Sequence, residues 1–235
     1  MGTHVITVST VQTSVTSAIV TYTTAIVAGD LLVSGIRADA TGTVAVSDNI
    51  NGSWTKAWGA VTNNWQYYKQ NSAAASANGL VLTVTDTVTA NIRIVASQFR
   101  GYAAASALDQ TSTNQTTAST SWNAGNTASI QAGELVYASW GIDTGVAATF
   151  TAGASNGVAA TIPTNGTVGT STTGESGVEY VLASAAGVQN SSASASLSST
   201  WHGGQSTFFA ATVLDDDPLL SPAIDTAPVM FYVRG

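Results

Sequence analysis

The chain has 235 residues, of which 44% are hydrophobic and only 8% charged, with a formal net charge of −7 and no cysteine. That length suits one large all-β domain or two small ones, and the lack of cysteine excludes disulfides and thiolate metal sites. The basic residues Arg37, Lys56, Lys69, Arg93, Arg100 and Arg234 are scattered, so no basic patch is offered to nucleic acid. Apolar runs are too short to cross a membrane as a helix, so no membrane partner is expected. The opening "MGTHVITVSTVQTSV" has neither a basic region nor a continuous apolar core, which sets an expectation of synthesis without an export signal. With so few charges, where about a quarter of residues is usual, the surface must be built from Thr, Ser, Asn, Gln and Gly.

No segment repeats at helical spacing. Short alternating runs rich in Val, Ile, Thr, Tyr and Trp recur instead, broken by Gly, Asn and Asp. They predict strands near 4–11, 18–23, 31–38, 43–47, 54–57, 65–70, 79–85 and 92–99. A second series is predicted near 107–111, 117–122, 135–142, 147–150, 158–162, 177–182, 194–197 and 206–213. The two series are related: "AIVAGDLLVSGIRAD" at 25–39 is echoed by "SIQAGELVYASWGID" at 129–143, an offset of 104 residues. In each, a Gly free to take positive φ precedes an acid that can bond nearby amides before the strand begins. The expected fold is an all-β antiparallel sandwich, jelly-roll-like, filling residues 1–214. Pseudo-repeats span about 18–102 and 117–213, and an extended arm spans 215–235.

The order "AGDLLVSGIRA", "TVAVSDNINGSWTKA", "NNWQYYKQNSAAASANGLVLTVT", "IRIVASQFRG" resembles a β-sandwich module of phage structural proteins, also seen in bacterial extracellular proteins. The likeness covers about 25–102 and is diffuse over 129–213. It implies a jelly-roll-like sandwich used for adhesion, decoration or glycan contact, and it carries over no catalytic residue.

Several constellations invite a chemical reading, and each has a plain structural one. "SDNINGSW" groups Asp48, Asn49 and Asn51, oxygen donors that could hold calcium. Ile50 breaks the ligand spacing, and Asn51-Gly52 is a strong hairpin signal. Trp54, Trp58, Trp65, Tyr67 and Tyr68 cluster, and Trp58, Trp65 and Tyr67 are candidates for stacking on a sugar ring or filling an interface. Trp65 and Tyr67 share one strand face and Tyr68 takes the other. Glu175 and Glu179 fall four apart, with Glu175 expected in a turn beside Gly174; a carboxylate pair can cleave glycosides. His4 and His202 lie far apart in the chain, with no acid next to His202, and Ser155 centres a "GASNG" that is expected to be a loop. Two histidines cannot make a zinc site alone. No catalytic residue, metal ligand or cofactor is therefore assigned. The four Asn-x-Ser/Thr matches, at Asn51, Asn114, Asn165 and Asn190, are what a Ser/Thr/Asn-rich chain yields by chance.

The tail "DDDPLLSPAIDTAPVMFYVRG" holds three of the four prolines, which block helix and keep the chain extended. "VMFYVRG" then alternates enough for a short strand. Leu219, Leu220, Ile224, Val229, Met230, Phe231 and Tyr232 are expected to form an assembly arm that covers its own body or a neighbouring subunit. These features together predict a non-enzymatic virion protein, most simply a capsid decoration (cement) protein. It would form a homo-oligomer, with a trimer favoured, and contact another virion protein such as the major capsid protein. The alternative is an extracellular carbohydrate-binding or adhesion module, with a glycan as partner; a glycosidase ranks third.

Overall fold

β-branched and aromatic residues alternating with small polar ones fit a pleated, half-buried surface, and the chain follows that pattern into strands throughout. The computed structural model describes residues 2–40, 42–59, 62–143, 147–170 and 174–211, and no helix occurs among them. The first half contains β1 (Thr3–Thr21), β2 (Leu31–Ala38), β3 (Val44–Asp48), β4 (Gly52–Ser53), β5 (Thr55–Gly59), β6 (Asn64–Lys69) and β7 (Val81–Arg100). The second contains β8 (Leu108–Asn123), β9 (Ser129–Ile130), β10 (Leu135–Asp143), β11 (Phe150–Ala152), β12 (Ala154–Ser155), β13 (Val158–Ala159), β14 (Thr167–Thr170), β15 (Gly174–Leu182), β16 (Gly187–Val188) and β17 (Ser192–Phe208). All named pairings are antiparallel, as expected for a sandwich.

The two halves form separate sheets built on the same ladder plan. β2 lies between β6 and β7, and β1 runs along the other edge of β7. β10 lies between β15 and β17, and β8 runs along the other edge of β17. The registers agree residue for residue: Val33 faces Tyr68 and Ser97, and Tyr137 faces Tyr180 and Ser206. Ile36 faces Trp65 and Ile94, while Trp140 faces Gly177 and Gly203. Even the irregularities correspond. β1 bends at Ser14, with φ of 54°, and β8 bends at Ala118, with φ of 48°, positions separated by the same 104 residues as the sequence echo.

Four strands are longer than the sequence pattern predicts. The pairs 4–11 with 18–23, 79–85 with 92–99, 107–111 with 117–122, and 194–197 with 206–213 each fuse into one strand: β1, β7, β8 and β17. The intervening Thr, Ser and Asn residues read as breaks, yet the chain accommodates them as register shifts inside a continuous ladder. Each bent strand therefore belongs to two walls. The later part of β7 lies beside β2, and its earlier part lies beside β3.

Every residue of β2 is buried, because both faces of the strand are covered. Leu32, Ile36 and Ala38 enter the first half's own core with Trp65, Tyr67 and Leu82. Leu31 and Val33 face the other way, into a layer shared with Phe99, Leu135, Tyr137 and Phe208. β10 repeats the split, with Trp140 and Ile142 joining Trp122 and Trp201 in the second half's core. The halves thus pack sheet to sheet about a pseudo-two-fold axis: β2 touches β15 as β10 touches β6, and β5 touches β8 as β14 touches β1. Two contacts lie on the axis itself. A Cβ on Gly35 would stand 2.6 Å from the Cβ of Ser139, and one on Gly141 would stand 2.7 Å from Cδ of Arg37. Glycine on one side of each contact is what lets the sheets close.

Candidate functional site

The layer between the halves is part apolar and part polar. Gln66 is fully buried there. Its Nε2 donates to the Tyr137 carbonyl at 3.2 Å and to Ser139 Oγ at 3.3 Å. Its Oε1 accepts from Trp58 Nε1 at 3.0 Å and from the Ser206 hydroxyl. Ser97 bridges Thr7 at 2.7 Å and the Tyr137 hydroxyl at 3.1 Å. Several of these bonds join one half to the other, so a slip of register would leave buried polar groups unmet.

One end of the seam is ionic. Arg93 Nη1 donates to Asp39 Oδ1 at 2.7 Å. At the equivalent place in the other ladder, His202 Nε2 bonds Asp143 Oδ2 at 3.1 Å. Arg37, on the axis, reaches both acids: it pairs with Asp143 and stands 3.6 Å from Asp39 Oδ1. The His202 hydrogen bond, with the Arg37 charge, outweighs burial and holds the Asp143 carboxyl at about 2. An ionised Asp143 can only accept, so the imidazole carries a proton on Nε2. His202 is buried, and Nδ1 has no hydrogen-bond partner among the described residues. The arrangement can orient an imidazole and hold the Asp143 carboxylate ionised.

This cluster is the feature that reading the chain for local motifs misses, since His202 and Asp143 are brought together only by the β10–β17 register. A signal did exist. Asp39 and Asp143 close the two echoed stretches, so a cation opposite the first foretold a partner for the second.

The other candidates serve the fold. Trp58, Trp65 and Tyr67, the candidates for stacking on a sugar ring or filling an interface, are all buried within this chain. Trp65 and Tyr67 lie in the first core, and Trp58 is capped by its bond to Gln66. The face split predicted for β6 is present, with Tyr68 on the inter-half side. Asp48 accepts from the amides of Ile50 and Asn51, from the Asn51 side chain and from Trp54 Nε1, so its carboxylate knits the predicted hairpin. Glu175 lies in β15, which opens at Gly174 with φ of +98°, rather than in a turn. Glu175 accepts from the Ala148 amide and Glu179 from the Gly153 amide, both inside the second half. Burial lifts Glu175 above its ordinary value and Glu179 to about 8. Ser155 sits in the β12–β13 hairpin, not an open loop, and donates to Gln189 Oε1 at 2.9 Å. His4 stacks on Tyr180 and bonds Thr7 Oγ1 at 2.9 Å.

The arm residues Leu219, Leu220, Ile224, Val229, Met230, Phe231 and Tyr232 lie outside the described residues. No family model matches the chain, and searches of curated proteins and of solved structures return no match.

Proposed function

We propose that this chain is a non-enzymatic structural component of a virion, a capsid decoration protein that self-associates and attaches to another virion protein. The observation that carries the reading is the pair of outer strands. β1 and β8 each pair with a strand on one side only among the described residues. They are 19 and 16 residues long, and together they carry one carboxylate, Asp109, with no Lys, Arg or Pro. Free-standing soluble proteins guard such edges with charge or proline. Strands left this neutral suit a molecule whose edges meet other subunits.

The interior supports the same reading. Ser155, Glu175 and Glu179 each bond a neighbouring residue of the second half, and the seam joins the two halves into one body, as a surface-reinforcing protein needs. Ending the chain after Val213 tests it. Sedimentation should then show loss of the oligomer, or a capsid-binding assay loss of attachment, with the β-sheet circular dichroism unchanged. Normal assembly of the shortened chain would remove the arm from this role.

A further inference from the structure

A groove of about 790 Å³ opens where the two Ala-Gly-acid turns meet, walled by Gly29, Ala103, Ala104, Ala105, Ala132 and Ala210. Alanine and glycine make up most of its wall, with Tyr102, Ser106, Gln131, Glu134 and Phe209 beside them, and the small residues leave room for side chains brought by something else. The described body ends on its rim at Ala211.

The two turns differ in one respect that points to the occupant. In the first, Asp30 accepts from the Val27 amide at 2.8 Å and from Gln98 at 2.5 Å, and the Arg100 guanidinium stands 3.2 Å from its other oxygen. In the second, Glu134 holds the same place and accepts from the Gln131 amide at 2.8 Å. The residue in the ladder position of Arg100 is Phe209, which follows Phe208 as Arg100 follows Phe99. Glu134 is 1% exposed and lines the groove, and its Oε2 has no hydrogen-bond partner among the described residues. Burial, with the Asp109 carboxyl beside it, raises its proton affinity, against the Gln131 amide and the Thr207 hydroxyl, which lower it. A buried acid without its cation is costly, and a guanidinium is the group that best relieves it.

After Arg100 the chain has a single Lys or Arg, Arg234, and it directly follows the apolar run Val229, Met230, Phe231, Tyr232, Val233. We propose that the groove receives segment 229–235 of a second copy of this chain, with Arg234 paired to Glu134 as Arg100 is paired to Asp30. The apolar side chains cover the alanine walls. A second copy is favoured over the chain's own end because the sequence of the intervening spacer carries three prolines, residues that disfavour a tight return. The inference rests on the assembly reading and gives it a receptor.

The absence of cysteine allows a direct test. Full-length Ala104→Cys and Val233→Cys proteins are mixed and oxidised; Ala104 is exposed, so its replacement leaves the fold intact. A disulfide-linked pair made of one of each is expected. Its yield should fall about tenfold when Arg234→Glu is added, as loss of a desolvated charge pair implies. A yield indifferent to Arg234→Glu overturns the pairing. A disulfide forming only within one chain, when both cysteines are placed on it, overturns the second copy as occupant. No disulfide in a chain that still sediments as an oligomer overturns the groove and leaves the assembly reading standing. A monomer at every concentration sinks the assembly reading itself.

Discussion

The two halves hold the same ladder with different fillings. Where the first core pairs Ile36 with Trp65, the second pairs Trp140 with Gly177. The large ring has crossed to the neighbouring strand, and a Cβ on Gly177 would stand 2.6 Å from that ring. Where the first half has Tyr67, bonded to the Val44 carbonyl at 2.6 Å, the second has Glu179. Where the first has Arg93, the second has His202. Register is thus kept while volume and charge are exchanged in neighbouring pairs. Backbone pairing fixes the frame, and close packing is met locally, one pair at a time.

Transposing a pair gives the largest effect. Trp140→Ile alone should cost about 3 kcal/mol through the cavity it leaves, and Gly177→Trp alone should prevent folding. The two together should be more stable than Gly177→Trp alone, read from urea denaturation. A double variant that also fails to fold would show that the halves are not interchangeable at this pair.

The next effect separates Tyr67 from Glu179 by pH. Glu179 is held protonated up to about 8 in the fold, whereas its ordinary value is 4.5. The folded state therefore keeps a proton that the unfolded chain releases. This group's cost is absent below pH 4.5 and grows as pH rises toward 8, reaching on the order of 3 kcal/mol at pH 7. Glu179→Gln should flatten that slope in thermal melts between pH 5 and 8. Tyr67→Phe should cost about 1 kcal/mol at every pH in the range. An unchanged slope in Glu179→Gln would contradict the account of its burial.

The smallest effect lies in the ionic end of the seam. Asp143 is held at about 2, below its ordinary 3.8. Its contribution is present above pH 3.8 and is lost as pH falls toward 2. Its side chain is 50% exposed, so Asp143→Asn should cost only about 1 kcal/mol near neutrality. The acid limb of the stability profile should be shallower in the variant, and an unaltered limb would remove His202 and Arg37 as its cause.

Much of the frame was legible from the chain. Alternation marked the strands, the Ala-Gly-acid turns marked the echo, and the split of Trp65 and Tyr67 from Tyr68 followed from a two-residue period. The long strands were not legible, because Thr-Ser and Thr-Ala-Asn runs look the same in a bulge as in a loop. Nor was the fate of the aromatics: composition says that Trp58 is large and flat, and only the neighbouring sheet says that it is covered. The His202–Asp143 contact depends on strand order, which no local spacing encodes. The arm's apolar content was visible at once, while the receptor proposed for it depends on an acid whose missing cation shows only beside Asp30 and Arg100.

Arg37 lies where the pseudo-two-fold axis passes, and Gly141 opposite it makes room. Two identical modules meeting about a true two-fold would have to place the same residue on both sides. Two arginines would collide and repel there, and two glycines would leave Asp39 and Asp143 facing each other without the cation between them. Joining the modules in one chain removes that constraint. A single guanidinium can then serve two carboxylates, an arrangement closed to a homodimer and open only to a covalently linked pair free to differ at its centre.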